Sequence, residues 1–193
     1  MSTVENLGLR PGDIGFTRIG GWLGKWIALG QAITGDANRF THVFVVLDNG
    51  EVAEAMPSGA RIEKLDRQYK SEVAYVYTKL TDKQRADFVR EVRTRLEQPG
   101  GIKYSFVDYL AIALAHFGIK PRKLREYIAS SARMICSQLA DYFLCRVGFH
   151  VFNDNRLSQD VTPGALFFEL IEHGLKVIVV DPTREGVFSE GVS

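Results

Sequence analysis

Apolar residues recur along this chain at two spacings, and the spacing assigns most segments to an element. Asp13 to Ile19, "DIGFTRI", follows a Pro-Gly turn and reads as a short strand. From Gly21 to Thr34, Trp22, Leu23, Trp26, Ile27, Leu29 and Ile33 fall mostly at helical spacing, and Gly35-Asp36 ends the run. The two tryptophans read as a core-facing stripe in preference to a substrate- or membrane-contacting face. "THVFVVLDNGEVAEAM" carries the plainest β signal: an apolar run from His42 to Leu47, turn residues Asp48-Asn49-Gly50, and a second strand from Glu51 to Ala55. Glu72 to Leu80 alternates as a further strand, after which Thr81 caps a helix that stops at Pro99-Gly100-Gly101. Lys103 to Ile119 is helical. Ala129 to Phe149 is also helical, with Cys136, Leu139, Ala140, Phe143, Leu144 and Val147 on one stripe and Gly148 as the stop. Thr162-Pro163 opens a last helix, "LKVIVVD" is a closing strand, and the tail from Pro182 is expected to be loose. No repeat or linker divides residues 1–193, so the pattern predicts one α+β domain.

Composition narrows the classes of function. With 193 residues, 46% of them hydrophobic, the chain can bury a proper core. Its 24 basic and 23 acidic residues nearly cancel and form no long run of one sign, which speaks against an electrostatic nucleic-acid binder. "KPRKLR" (Lys120 to Arg125) reads as a solvated turn or helix start. The N-terminal "MSTVENLGLRPGD" lacks the basic-then-apolar layout of a secretory signal. "WLGKWIALGQAIT" contains a lysine, a glutamine and two glycines and falls short of the ~20 residues of a membrane span. The expectation is a soluble chain with no transmembrane segment. The two cysteines, Cys136 and Cys145, stand nine apart on one helix. That spacing turns them about 900°, half a turn away from each other, so they do not readily bridge. No CxxC pattern or disulfide framework is present.

Candidate chemistry rests on three residues. Of the four histidines, His116, His150 and His173 share no ligand spacing and read as structural. His42 opens a strand that is otherwise apolar, where a polar ring needs a partner. Glu54, in the apolar frame "VAEAM", is that partner under one condition. If Asp48, Asn49 and Gly50 form a three-residue turn, Leu47 faces Glu51, Val46 faces Val52 and Phe44 faces Glu54, and His42 becomes the diagonal neighbour of Glu54. A two-residue Asn-Gly turn shifts the register by one and sends Glu54 to the other face; with either turn, the alternative to a partner of His42 is a plain edge-strand carboxylate. Cys136, near a helix start, is either core packing or a nucleophile. Ser130 and Ser131 are also good N-caps, so the helix begins either near Cys136 or a turn earlier.

The order of these features resembles the circularly permuted papain-like cysteine hydrolases of the NlpC superfamily, which include the lecithin:retinol acyltransferase-like enzymes. "RPGDIGFTR" is similar to the family's opening "pGD" strand, and "AITGDANRFTHVFVVLDNGEVAEA" to its "T…sHvgi…g…viEA" block. "KYSFVDYL" resembles its "YDf" helix start, "ICSQLADYFL" its "CSelv" nucleophile helix, and "VTPGAL" the following "sPgdL". His42 precedes Cys136, as in the permuted branch. The resemblance implies an antiparallel sheet packed against helices, with Cys136 as nucleophile, His42 as general base and Glu54 as third member. It also puts Tyr104 where it can hydrogen-bond a developing oxyanion. The chain departs from the family in having Tyr104-Ser105 where Tyr-Asp is common and Gln138 where Glu is common.

What the resemblance implies is thiolate attack on an acyl carbonyl and release of an acyl-enzyme, with no metal or organic cofactor. The leading expectation is a cysteine amidase or endopeptidase acting on peptidoglycan-type peptides. The chain would then work in the cytoplasm on recycled fragments, in a phage particle, or after export by another route. A lipid acyltransferase or thioesterase of the same fold is the second expectation, and a non-catalytic binding or virion-structural module with an inert cysteine the third.

Overall fold

The computed structural model describes residues 7–18, 39–56, 59–65, 72–98, 136–153, 161–181 and 187–188. The expectations for 21–34 with Trp22 and Trp26, for Tyr104 and the segment 103–119 with His116, for 120–125, and for the caps Ser130 and Ser131 lie outside these residues. The described strands are β1 (Ile14–Thr17), β2 (His42–Val46), β3 (Glu51–Met56), β4 (Gly59–Lys64), β5 (Val73–Tyr77), β6 (Lys176–Val180) and β7 (Val187–Phe188). The described helices are α1 (Asp82–Leu96), which follows β5, then α2 (Cys136–Arg146) and α3 (Pro163–Glu172). One sheet holds all seven strands in the order β4-β3-β2-β1-β5-β6-β7, and each neighbouring pair is antiparallel. The chain is α+β. Among the described residues no helix is long and apolar enough to cross a membrane.

Both faces of the sheet are covered, which is why β2 reads as a continuous apolar run and not as an alternating one. On one face Phe16, Val43, Val45, Ala53 and Val76 pack with Phe88 of α1, Leu139 and Phe143 of α2 and Leu166 of α3. On the other face Phe44, Val46, Val52, Val73 and Tyr75 form a second cluster. Gly15 belongs to that second face: a Cβ there would lie 1.9 Å from the Phe44 ring, which passes across the strand to reach Tyr75. Any side chain at position 15 would displace that ring.

Two strands had no counterpart in the sequence reading. "GARIEK" of β4 alternates, with Ala60 and Ile62 joining the larger core, while Arg61 pairs in register with Glu54. Charged residues at alternate positions are what an edge strand tolerates, and they mask its periodicity. At the opposite edge Val187 and Phe188 pair with Val180 and Val179, so the expected loose tail is corrected at those two residues. Without them β6 would leave a row of backbone donors and acceptors unpaired.

The caps follow sequence logic. Thr81 and Gln84 form a reciprocal capping box on α1, and Thr162 accepts from the Ala165 N–H with Pro163 opening α3. A buried ion pair ties α1 to the sheet. Asp13, just before β1, accepts from the Arg85 guanidinium at 3.0 Å and from the Thr78 N–H and hydroxyl at 3.0 and 3.1 Å. Arg85 also donates to the carbonyls of Pro11, Thr78 and Leu80, so its charge is fully engaged although the residue is buried.

Candidate active site

The register that forms the site is set at the β2–β3 tip, where the local chemistry does both of the things the sequence offered as alternatives. Asn49 and Gly50 have φ of +56° and +66°, and the Glu51 N–H closes on the Asp48 carbonyl at 3.1 Å, as in a two-residue Asn-Gly turn. Yet the Leu47 N–H also donates to the Glu51 carbonyl at 2.8 Å, and the pairing continues as Val46↔Val52 and Phe44↔Glu54. Leu47 and Asp48 therefore both stand opposite Glu51. This is a β-bulge, and its extra residue restores the phase that the tight turn would have lost. Arg93 of α1 clamps the bulge by donating to the carboxylates of Asp48 and Glu51.

With that register, Glu54 falls on the same side as His42. The His42 Nε2 and Glu54 Oε2 lie 2.7 Å apart, and both side chains are at most 2% exposed. The other carboxylate oxygen, Oε1, accepts from Arg61 Nε at 3.0 Å and Nη2 at 2.8 Å. His42 is the first residue of β2, paired with Thr17 of β1, and it stands beyond the last β2–β3 pair. Its Nδ1 is buried without a hydrogen-bond partner among the described residues. An orphaned ring nitrogen is costly in a core and needs an explanation.

Cys136 begins the described part of α2, and it is 4% exposed. The helix is buried more completely than one stripe would require: Cys136, Ser137, Gln138, Leu139, Ala140 and Asp141 are all covered. Ser137 donates to the Val161 carbonyl at 2.6 Å, which fixes this first turn against the segment leading into α3. α2 packs on β2 and β3, and it brings the Cys136 thiol to the His42 ring.

The electrostatics follow from that contact. Burial alone would lower the His42 pKa, but the Cys136 thiol and then Glu54 outweigh it and raise the ring from 6.5 to about 9. Burial would push the Glu54 carboxyl up, yet the hydrogen bond from His42, followed by Arg61, holds it below its ordinary 4.5. Cys145 differs. Burial first, and the nearby Asp141 carboxylate next, push its thiol up to about 11, with Sγ 3.8 Å from Oδ1. Both cysteines are free thiols.

The structure thus brings together Cys136, His42 and Glu54 of the sequence-derived candidates, while Tyr104 lies outside the described residues. His173 bonds the Val151 carbonyl at the end of α3 and His150 is exposed, so neither approaches the site. Arg61 was missed. The turn signal Pro57-Ser58-Gly59 followed by alternating Ala60, Arg61, Ile62 and Glu63 could have found it. Among the described residues no group of three or more His, Cys, Asp or Glu side chains is arranged to hold a metal ion. Compared with models of known protein families and with curated proteins, the sequence matches none of them.

Proposed function

We propose that the chain is a cysteine hydrolase on a permuted papain-like scaffold, with Cys136 attacking an acyl carbonyl and an acyl-enzyme as intermediate. The observation that carries this reading is the buried His42–Glu54 pair, whose 2.7 Å hydrogen bond engages Nε2 and leaves Nδ1 for the Cys136 thiol. A structural histidine would have both nitrogens satisfied. The order of elements, with the His-bearing strands ahead of the helix that carries the cysteine, supports the permuted arrangement.

In this reaction the Cys136 thiolate forms a bond to the carbonyl carbon, and the carbonyl electrons move onto oxygen. Collapse expels the amine, which takes the proton held by the His42 imidazolium. The neutral ring then accepts a proton from water as that water attacks the thioester. Departure of the acid regenerates the thiolate and imidazolium. Glu54 keeps the ring oriented through both proton transfers.

The substrate class favoured is a peptide amide of the peptidoglycan type. Wild-type protein is expected to release amine from muropeptides and Cys136→Ala is not. Cleavage of acyl-lipid or acyl-thioester substrates in its place would move the reading to an acyltransferase or thioesterase. If iodoacetamide at pH 6 modifies Cys136 no faster than Cys145, the cysteine is inert and the enzyme reading falls.

A further inference from the structure

The geometry points to Arg61 as a fourth, positioning member of this site: from edge strand β4 it grips the Glu54 oxygen that His42 does not use, and so holds the carboxylate ionised and oriented against the ring. The inference rests on the proposed roles of Cys136, His42 and Glu54, and it assigns Arg61 no contact with substrate.

Three observations carry it. Arg61 and Glu54 are directly paired across β3 and β4, so the contact is set by the sheet and not by a wandering side chain. Nε and Nη2 converge on one oxygen, Oε1, at 3.0 and 2.8 Å, while Oε2 is left to His42 at 2.7 Å. A carboxylate held from both oxygens cannot rotate away from the ring. Third, Glu54 is 1% exposed and Arg61 is 39% exposed, so the guanidinium is the member of the chain Cys136–His42–Glu54–Arg61 that still meets solvent.

The charge pattern gives this clamp a purpose. Glu54 faces His42 from β2 and Arg61 from β4, and the His42 ring is acted on in addition by Cys136 from α2. When the ring loses its proton to a departing amine, Glu54 loses the charge of its first partner. A buried carboxylate in that position would tend to take up a proton itself. Arg61 supplies a permanent positive charge that does not leave during the cycle, so Glu54 stays an acceptor and the ring keeps its orientation.

The test uses the full chain with Arg61→Met and Arg61→Lys, read in two ways that need no substrate. The Glu54 carboxyl is titrated by carbon NMR with labelled glutamate, and Cys136 alkylation by iodoacetamide is resolved by site against Cys145. In Arg61→Met, Glu54 is expected to titrate at higher pH than in the wild type and Cys136 alkylation at pH 6 to slow about tenfold. Arg61→Lys, which restores charge through a single point of contact, is expected to recover part of both. An unmoved Glu54 titration, or an unmoved Cys136 rate, in Arg61→Met overturns the assignment. Failure of the underlying reading shows elsewhere, in the wild type, as a Cys136 that reacts no faster than Cys145.

Discussion

A ring whose pKa stands near 9 keeps its proton through the neutral range, so in the proposed reaction His42 would begin the cycle as an acid and serve as a base only later. Turnover should therefore fall as pH rises through about 9, and a pH–rate profile of kcat/KM would check this. Glu54→Gln retains the shape of the carboxylate but not its charge, and should reduce kcat about ten- to a hundredfold with KM little changed. Cys136→Ala and His42→Ala should abolish turnover with the far-UV circular dichroism unchanged. His42 was legible in the sequence because every neighbour in its strand is apolar and one polar ring stands out. Glu54 was legible through the same contrast. Arg61 was not, because a charged residue on an edge strand looks like any solvated side chain until its cross-strand partner is known.

At the scale of elements, the β2–β3 tip decides whether there is a site at all. The sequence held both possible turns, and residue types alone could not choose between them. Asn49-Gly50 demands the tight reversal, while the bulge at Leu47–Asp48 is clamped by Arg93, which comes from a helix more than forty positions downstream. That long-range clamp is what local pattern reading lacks. Deleting Asp48 should remove the bulge yet keep Leu47 opposite Glu51, so that Val46 still faces Val52 and Glu54 stays on the His42 side. Cys136 alkylation by iodoacetamide, resolved by site against Cys145, should therefore keep its wild-type rate in the deletion variant. Adding two glycines between Asn49 and Gly50 keeps the phase, and should leave Glu54 paired with His42 by NMR even though the loop is longer. Both changes leave Val46 paired with Val52, and that pairing is what sets the face Glu54 takes.

Across the whole molecule, two buried charge systems serve different ends. Asp13 and Arg85 hold α1 against β1 and β5, and Arg85→Met should destabilise by about 3–5 kcal/mol while leaving the site residues in place, a difference readable by comparing thermal denaturation with Cys136 reactivity. The His42–Glu54 system couples stability to pH. His42 has a raised folded pKa, so its contribution is fully present below its unfolded value of 6.5 and is lost as pH rises through about 9. Glu54 has a lowered folded pKa, so its contribution is present above 4.5 and is lost as pH falls through that lowered value. The Tm gap between wild type and His42→Gln should accordingly be widest between those limits and close above pH 9. The general layout, an antiparallel sheet with helices packed on it, could be read from periodicity; the two outermost strands could not, because β4 hides its apolar side among charges and β7 spans only two residues. Chain order has one more effect. His42, Glu54 and Arg61 lie within the first third of the chain, whereas Cys136 and Cys145, its only cysteines, come after residue 135. In synthesis from the N-terminus onward, the strands that pair His42, Glu54 and Arg61 are therefore made before the helix whose Cys136 thiol packs against the His42 ring.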